Sequence, residues 1–275
     1  MDDLAKSAEA ILEGESEAML DELLALVGSS AGARPKVLVQ LSDNKKSIIH
    51  GRQALKKGYS HYMVKFSNSH DDKESGAVEY VYSLMAKEAG LQMPQTTLID
   101  GKHGRYFAIE RFDRVGDERV HMHSVAGLVH ADFRFPSLDY DDLMKLTLHL
   151  TKSYEEVGKM FRLACFNLFA HNRDDHAKNF SFLMDSKGVW RLSPAYDLTF
   201  SYGVGAEHST MYMGEGKKPT SAHLERVAKK YQIKEYKVII EQVRHGVNRW
   251  ESLAREINIS QRVKQNITKI IRENI

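Results

Sequence analysis

The sequence predicts an α+β chain of two lobes: a small β-rich N-terminal lobe over residues 1–112 and a mainly helical C-terminal lobe over residues 113–275. Three observations carry that expectation. Residues 28–110 alternate short apolar runs with turn residues and contain one helical pattern. Beyond Phe112 the apolar residues fall mostly at helical spacing. A length of 275 residues, 42% of them apolar, suits one domain or two tightly joined lobes with a sizeable core.

Residues 1–27 are acidic and leucine-rich, with Leu12, Leu20, Leu23, Leu24 and Leu26 spaced for a helix interrupted near Gly14. Small residues follow, from Gly28 to Ala33, with no helical period. Val37-Leu38-Val39-Gln40-Leu41 reads as a strand, Asp43 to Lys46 as a turn, and Ser47-Ile48-Ile49-His50 as the returning partner. Tyr62-Met63-Val64-Lys65-Phe66 is a short apolar strand carrying one lysine. Residues 75–89 read as a helix with Val78, Val81, Leu84 and Met85 on one face, Glu79 in its first turns and Gly90 as the stop. Thr96–Ile99 and Tyr106–Ile109 flank a glycine-containing turn and predict a hairpin. Residues 138–150 and 154–170 read as helices, the second with Val157, Met160, Phe161, Ala164, Cys165 and Leu168 on one side. Phe180–Leu183 and Val189–Leu192 bracket the turn Asp185-Ser186-Lys187-Gly188 as a hairpin, and residues 221–272 return to helical patterning.

Charge narrows the function classes. Thirty-nine Lys and Arg against 37 Asp and Glu leave a net +2, which argues against a basic nucleic-acid coat and against an acidic disordered tail. No apolar run approaches the ~18 residues a membrane span needs. The acidic start, Met1-Asp2-Asp3, predicts no secretory signal. The single cysteine, Cys165, rules out an internal disulfide and a cysteine zinc cluster, and its place on an apolar helix face reads as buried filler. Together these predict a cytoplasmic address without a membrane partner. Neither GxxxxGK[ST] nor GxSxG occurs, which disfavours a P-loop enzyme and a serine hydrolase of the nucleophile-elbow kind.

The polar run from Ala170 to Asn179 is the most informative segment. Asp174 and Asn179 are separated by four residues, beside a lysine and two histidines, and a short hairpin then delivers Asp197. Protein kinases use this order: an Asp that orients the attacking hydroxyl and accepts its proton, then Asn and Asp as hard oxygen ligands for Mg²⁺. Upstream, Lys65 on a strand and Glu79 on the next helix match the kinase ion pair that steadies nucleotide phosphates. Taken singly, each residue has a plainer use. Lys65 could guard an edge strand, Glu79 could answer the helix dipole, Gly28 to Ala33 could be a linker, and the Asp174 cluster could be solvated charge. Their order along the chain is what points to phosphoryl transfer.

At this point the sequence resembles the HipA toxin kinases. The resemblance lies in Ala31-Gly32-Ala33-Arg34-Pro35-Lys36, Val64-Lys65-Phe66, Glu110-Arg111-Phe112-Asp113-Arg114, Asp174-Asp175-His176-Ala177-Lys178-Asn179-Phe180-Ser181 and Ser193-Pro194-Ala195-Tyr196-Asp197-Leu198. It implies a two-lobed fold related to phosphoinositide and eukaryotic protein kinases. It also implies an ATP- and Mg²⁺-dependent serine/threonine protein kinase acting as a toxin. Asp174 would be the base rather than Asp175, and Asn179 and Asp197 would hold the metal. Lys65 would contact the ATP phosphates, as would the loop and strand residues Ala31, Gly32, Ala33 and Lys36. Glu110, Arg111 and Phe112 would form the hinge beside adenine, and His176, Lys178 and Tyr196 would line the phosphate side. Ser29, with Ser30 as second candidate, would be autophosphorylated, its phosphate repelling the triphosphate.

The implied partners are a helix-turn-helix, HipB-like antitoxin, DNA only through that antitoxin, and a protein substrate such as an aminoacyl-tRNA synthetase. Because the glycine loop begins near residue 28, the chain resembles the short HipT-like kinases, in which a separate small protein supplies the N-terminal subdomain. One segment departs from the pattern: His121-Met122-His123-Ser124 lacks the acidic pair (H-x-E-D) that many members carry. Two histidines alternating there are read as solvent-facing strand residues, since no third metal ligand is apparent. The alternatives are a small-molecule kinase of the aminoglycoside or choline type, a non-catalytic kinase-like binding module, and a regulator acting inside a DNA-bound antitoxin complex.

Overall fold

The computed structural model describes residues 14–15, 36–50, 54–66, 73–101, 104–132 and 138–275. The helix expected within residues 1–27 lies outside them except for Gly14–Glu15, and so does the loop from Gly28 to Pro35. The chain divides into two compact units. The first comprises Met1–Tyr80 and Pro94–Arg119, the second Val81–Met93 and Val120–Ile275.

The first unit is built on a six-stranded antiparallel sheet of order β1-β3-β2-β4-β6-β5. Its strands are β1 (Gly14–Glu15), β2 (Lys36–Ser42), β3 (Ser47–His50), β4 (Tyr59–Lys65), β5 (Thr96–Gly101) and β6 (Gly104–Glu110). The expected β2–β3 hairpin forms as the turn chemistry demands. Asn44 Oδ1 accepts from the Lys46 N–H at 3.0 Å, and Lys45 takes a left-handed backbone, φ 61°. Alternation on β2 and β4 sends Val37, Val39, Leu41, Tyr62 and Val64 into a core shared with Ile48, Phe66, Ile99, Tyr106 and Ala108. Phe66 and Tyr106 meet edge to face at 4.8 Å between ring centroids.

Helix α1 (Ser75–Glu88) follows β4 in the chain and starts in this unit. A Cβ on Gly76 would lie 2.3 Å from the Arg105 carbonyl oxygen, so only glycine lets the helix start approach β6 so closely. The helix ends as expected at Gly90, φ 75°. Gly90 N–H donates to Lys87 and Leu91 N–H to Ala86, which closes the last turn as a Schellman motif. A two-stranded hairpin, β7 (Arg114–Val115) with β8 (Glu118–Arg119), closes the unit.

The first unit thus runs on to Arg119, and residues 81–93 go with the second unit. The physical reasons are local. The β7–β8 hairpin is tied back by Asp117, which accepts the Leu55 N–H at 2.7 Å. The C-terminal half of α1 belongs to the second core: the Tyr82 hydroxyl donates to the Ala170 carbonyl at 2.6 Å, and its ring meets Trp250 at 5.8 Å.

After the C-terminal half of α1, the second unit continues at β9 (His121–Ser124), whose alternating histidines are strand residues as expected. β9 joins β11 (Ser181–Met184) and β12 (Trp190–Leu192) in an antiparallel sheet of order β12-β11-β9; β11 and β12 are the expected hairpin. Ser124 caps the short α2 (Val125–Leu128). A parallel pair forms between β10 (Leu138–Asp139) and β13 (Thr210–Met211). The helices expected at 138–150 and 154–170 are α3 (Tyr140–Thr151) and α4 (Tyr154–Phe169), capped by Asp139 and Ser153. Cys165 on α4 is fully buried, and burial pushes its thiol pKa up. Four further helices fill the 221–272 region: α5 (Ser221–Lys230), α6 (Tyr236–Asn248), α7 (Trp250–Glu256) and α8 (Gln261–Asn274). No helix among the described residues is long and apolar enough to cross a membrane.

Candidate functional site

In the first unit, β4 ends on Lys65 and α1 carries Glu79 one turn past its start, within the first turns as expected. Lys65 Nζ lies 2.6 Å from Glu79 Oε1, and the Glu79 side chain is 2% exposed. The match between strand lysine and helix glutamate is thus a real contact, held in a low-dielectric place where it is worth more than on the surface. Lys36, the first residue of β2, pairs directly across from Lys65 in register. Residues directly opposite on antiparallel strands project to the same face, so two ammonium groups share it.

Glu110 ends β6 in register with Tyr62, three positions along β4 from Lys65. The N–H groups of Glu110 and Arg111 donate to the Gln95 and His61 carbonyls at 2.8 Å each. The Arg111 guanidinium grips the Asp113 carboxylate through Nε and one terminal nitrogen, and Arg114 adds a third contact at 2.7 Å. Burial raises the Asp113 pKa, but the hydrogen bonds and charges of these arginines outweigh it and hold the carboxyl below its ordinary range. Ser29, Ser30, Ala31, Gly32 and Ala33 lie outside the described residues.

In the second unit, α4 runs out at Phe169 and the chain continues through irregular backbone into a single 3₁₀ turn, Ala177–Asn179, that leads to β11. The neighbours Asp174 and Asp175 have opposite fates. The Asp174 side chain is 53% exposed, with the His176 ring 3.8 Å away. The Asp175 side chain is fully buried. Its Oδ2 accepts from the Tyr140 hydroxyl at 2.9 Å and meets His208 Nδ1 at 3.0 Å. Its Oδ1 accepts the N–H groups of Ser209 and Thr210 at 2.8 and 3.2 Å. The network runs on: Asn167 Nδ2 donates to the Tyr140 hydroxyl, and Asn172 Nδ2 donates to Asn167 Oδ1, each at 2.9 Å. Asp175 is therefore a structural hub joining α3, the loop and the start of β13 with the two residues before it.

Asn179 Nδ2 donates to the Asp174 carbonyl at 2.7 Å, which leaves the amide oxygen as the atom to meet a cation. The Tyr196 hydroxyl lies 2.6 Å from Ser181 Oγ and donates to the Lys178 carbonyl at 2.6 Å, so it binds the Asp197 segment to the loop that carries Asn179. Asp197 itself adopts a left-handed backbone, φ 57°. His176, Lys178, Asn179, Tyr196 and Asp197 thus lie on two segments cross-linked to one another. Among the described residues no group of three or more His, Cys, Asp or Glu could hold a metal, and His121 and His123 stay a strand pair.

Sequence reasoning missed Tyr140 and His208, which hold Asp175, because they come from distant segments that no local pattern marks. It also missed Glu156. This buried α4 residue accepts the Leu192 N–H at 2.7 Å and so anchors the end of the hairpin that leads to Asp197.

Comparison with known proteins fits this frame. The kinase toxin HipA of Shewanella oneidensis, named as a serine/threonine-protein kinase, is 27% identical over 195 residues, covering 62% of this chain and 42% of that protein. Y4dM of Sinorhizobium fredii, which carries a provisional kinase name, is 25% identical over 277 residues, covering 82% and 67%. The chain thus spans between about two fifths and two thirds of these relatives' lengths. Among solved structures, the Shewanella oneidensis HipA, HipB and operator DNA complex superposes with a TM-score of 0.65 at 17% identity, covering 89% of this chain and 62% of that one. The Helicobacter pylori proinflammatory kinase CtkA gives 0.56 at 13% identity, covering 80% and 88%. These two likenesses establish a kinase-like α+β fold. Residues 28–251, which hold both sets of residues described above, match the HipA-like C-terminal domain, and the chain belongs to that family.

Proposed function

We propose that this chain transfers the γ-phosphoryl group of ATP to a serine or threonine hydroxyl on a protein. The Lys65–Glu79 pair, with Lys36 directly opposite Lys65, is the observation that carries this reading. Like charges facing each other across a ladder destabilise it, and a polyanion such as a triphosphate relieves the repulsion. Glu79 orients Lys65, and both lysines hold phosphate oxygens.

Asp174 is the base. Its exposed carboxylate orients the acceptor hydroxyl and takes its proton, whereas both carboxylate oxygens of Asp175 are engaged. Asn179 and Asp197 supply an amide and a carboxylate oxygen, the hard donors magnesium prefers. Two protein ligands suffice, since this ion is usually held with substrate phosphates and water. When bound, the metal would neutralise charge on the phosphates. The hinge residues Glu110, Arg111 and Phe112 flank adenine, but the N–H groups of Glu110 and Arg111 are committed to Gln95 and His61, so adenine is read by other hinge groups.

The family and the Shewanella complex support a wider reading: a toxin held by a HipB-like antitoxin, reaching DNA only through it, and phosphorylating a translation protein such as an aminoacyl-tRNA synthetase. Autophosphorylation at Ser29 or Ser30 would be its switch. The test is transfer of label from γ-labelled ATP with Mg²⁺, using protein stripped of phosphate, for the wild type and Lys65→Met. Label mapped by mass spectrometry to Ser29 or Ser30, or to an added protein acceptor, and lost in the variant supports the reading. Label equal in both proteins, or none in the presence of any acceptor, sinks it.

A further inference from the structure

His171 has no role in phosphoryl transfer, yet it touches two other segments of the second unit. It stands three residues before Asp174, buried, with a left-handed backbone (φ 55°) that is disfavoured for residues other than glycine. Three residues beyond Asp197 hold it there. Ser201 donates its N–H to the His171 carbonyl at 3.2 Å. The Phe200 ring stacks on the imidazole at 5.5 Å with planes 20° apart, and Tyr202 meets the same ring edge-on at 6.3 Å.

The other holder comes from α8. Asn274 Nδ2 lies 2.9 Å from His171 Nδ1. Burial first, then the charges of Arg173 and His208, push the His171 pKa down to about 4, so the ring is neutral near pH 7. Nδ1 then accepts the amide N–H, and the ring proton sits on Nε2. A second bond from the same helix reaches the same place: Asn266 Nδ2 donates to the Tyr202 hydroxyl at 2.9 Å. Asn266, Ile267, Ile271 and Asn274 share one side of α8, and both isoleucines are buried. The helix is itself fastened, by Trp250 Nε1 donating to the Lys264 carbonyl at 3.3 Å and by the Arg272–Glu251 ion pair.

We propose that α8 is a clamp on the reaction centre: through Asn274–His171 and Asn266–Tyr202 it fixes the spacing between the run that carries Asp174 and the segment that carries Asp197. Asn266, Asn274 and His171 are positioning residues and touch no reacting atom. The effect on rate rests on the phosphotransfer reading; the clamp itself rests on these contacts.

The test uses the full chain with Asn274→Leu and Asn266→Leu, and with Lys269→Ala, an exposed position of the same helix, as reference. Two quantities are read: kcat and KM for ATP in phosphoryl transfer, and hydrogen exchange of the Ser201 amide. Asn274→Leu is expected to lower kcat about tenfold with KM nearly unchanged and to speed Ser201 exchange about tenfold, as loss of one hydrogen bond allows. Asn266→Leu moves both the same way by less, Asn274→Gln restores part of each, and Lys269→Ala moves neither. Wild-type kcat and exchange in Asn274→Leu overturn the clamp. So does faster exchange spread evenly over the whole second unit, which means general loosening. If the wild type transfers no phosphate, the phosphotransfer reading falls and Ser201 exchange alone decides the clamp.

Discussion

Lys65 ends a regular seven-residue strand and meets Glu79 from a regular helix; Asp174 lies in backbone that belongs to neither helix nor strand. The first unit holds its charged group with repetitive hydrogen bonding and one ion pair. The second holds the loop that carries its carboxylate with side chains from α3, α4 and α8 and with the backbone N–H groups of Ser209 and Thr210. Periodic elements place a residue wherever their register puts it. Irregular backbone must be tied down bond by bond, and every tie comes from somewhere else in the chain. The difference predicts that the first site fails locally when altered, whereas the second transmits damage from residues that never touch a substrate.

The largest stability effect that sharpens this comparison belongs to Asp175→Ala. It strands the Tyr140 hydroxyl, His208 and two backbone N–H groups in the interior and should destabilise the second unit by about 3 kcal/mol. Urea unfolding followed by tryptophan fluorescence reads this directly, because both tryptophans, Trp190 and Trp250, lie in that unit. A midpoint equal to wild type would break the claim that the loop is held side chain by side chain.

Glu79→Gln tests the other side. It keeps the side-chain shape and one hydrogen bond to Lys65 but removes the charge. Transfer should fall about tenfold, the size of a lost charge-assisted bond, while the urea midpoint barely moves. A large loss of stability without a loss of activity would make the pair structural instead.

The smallest effect is one of pH. The His171 pKa is lowered from 6.5 to about 4, so the unfolded chain binds the proton more readily. Its contribution to stability is full above 6.5 and is lost as pH falls from there through about 4. Thermal unfolding of His171→Gln should therefore lose less between those pH values than the wild type does. Parallel curves for the two proteins would contradict the buried, neutral ring.

Regularity also decided what the sequence revealed. The strands β2, β3, β4, β5 and β6, the long helices and the Gly90 stop were legible because each repeats a period or carries its own cap. The short strands β7 and β8 were not, and β9 showed only in the alternation of His121 and His123. Gly116-Asp117 is a turn signal, but Arg114-Val115, Glu118-Arg119 and His121 to Ser124 are mostly polar and exposed, with no buried face to alternate. The family's order of charged residues was legible too, and the preference for Asp174 followed from its spacing to Asn179. That Asp175 is spent on structure was not legible, since its partners lie at Tyr140 and at 208–210. The Asn274 bond to His171 joins residues 103 positions apart, and no local pattern announces it.

The central claim is that two adjacent carboxylates divide chemistry from architecture, and it is tested most directly by the rate of γ-phosphate transfer and the urea midpoint of Asp174→Asn and Asp175→Asn side by side. The account predicts that Asp174→Asn loses about a thousandfold in transfer, as expected for removal of a general base, with the wild-type midpoint. It predicts that Asp175→Asn unfolds at lower urea and keeps more transfer than Asp174→Asn under conditions where both are folded. The reverse result, an active Asp174→Asn protein beside a stable and inert Asp175→Asn protein, would contradict it.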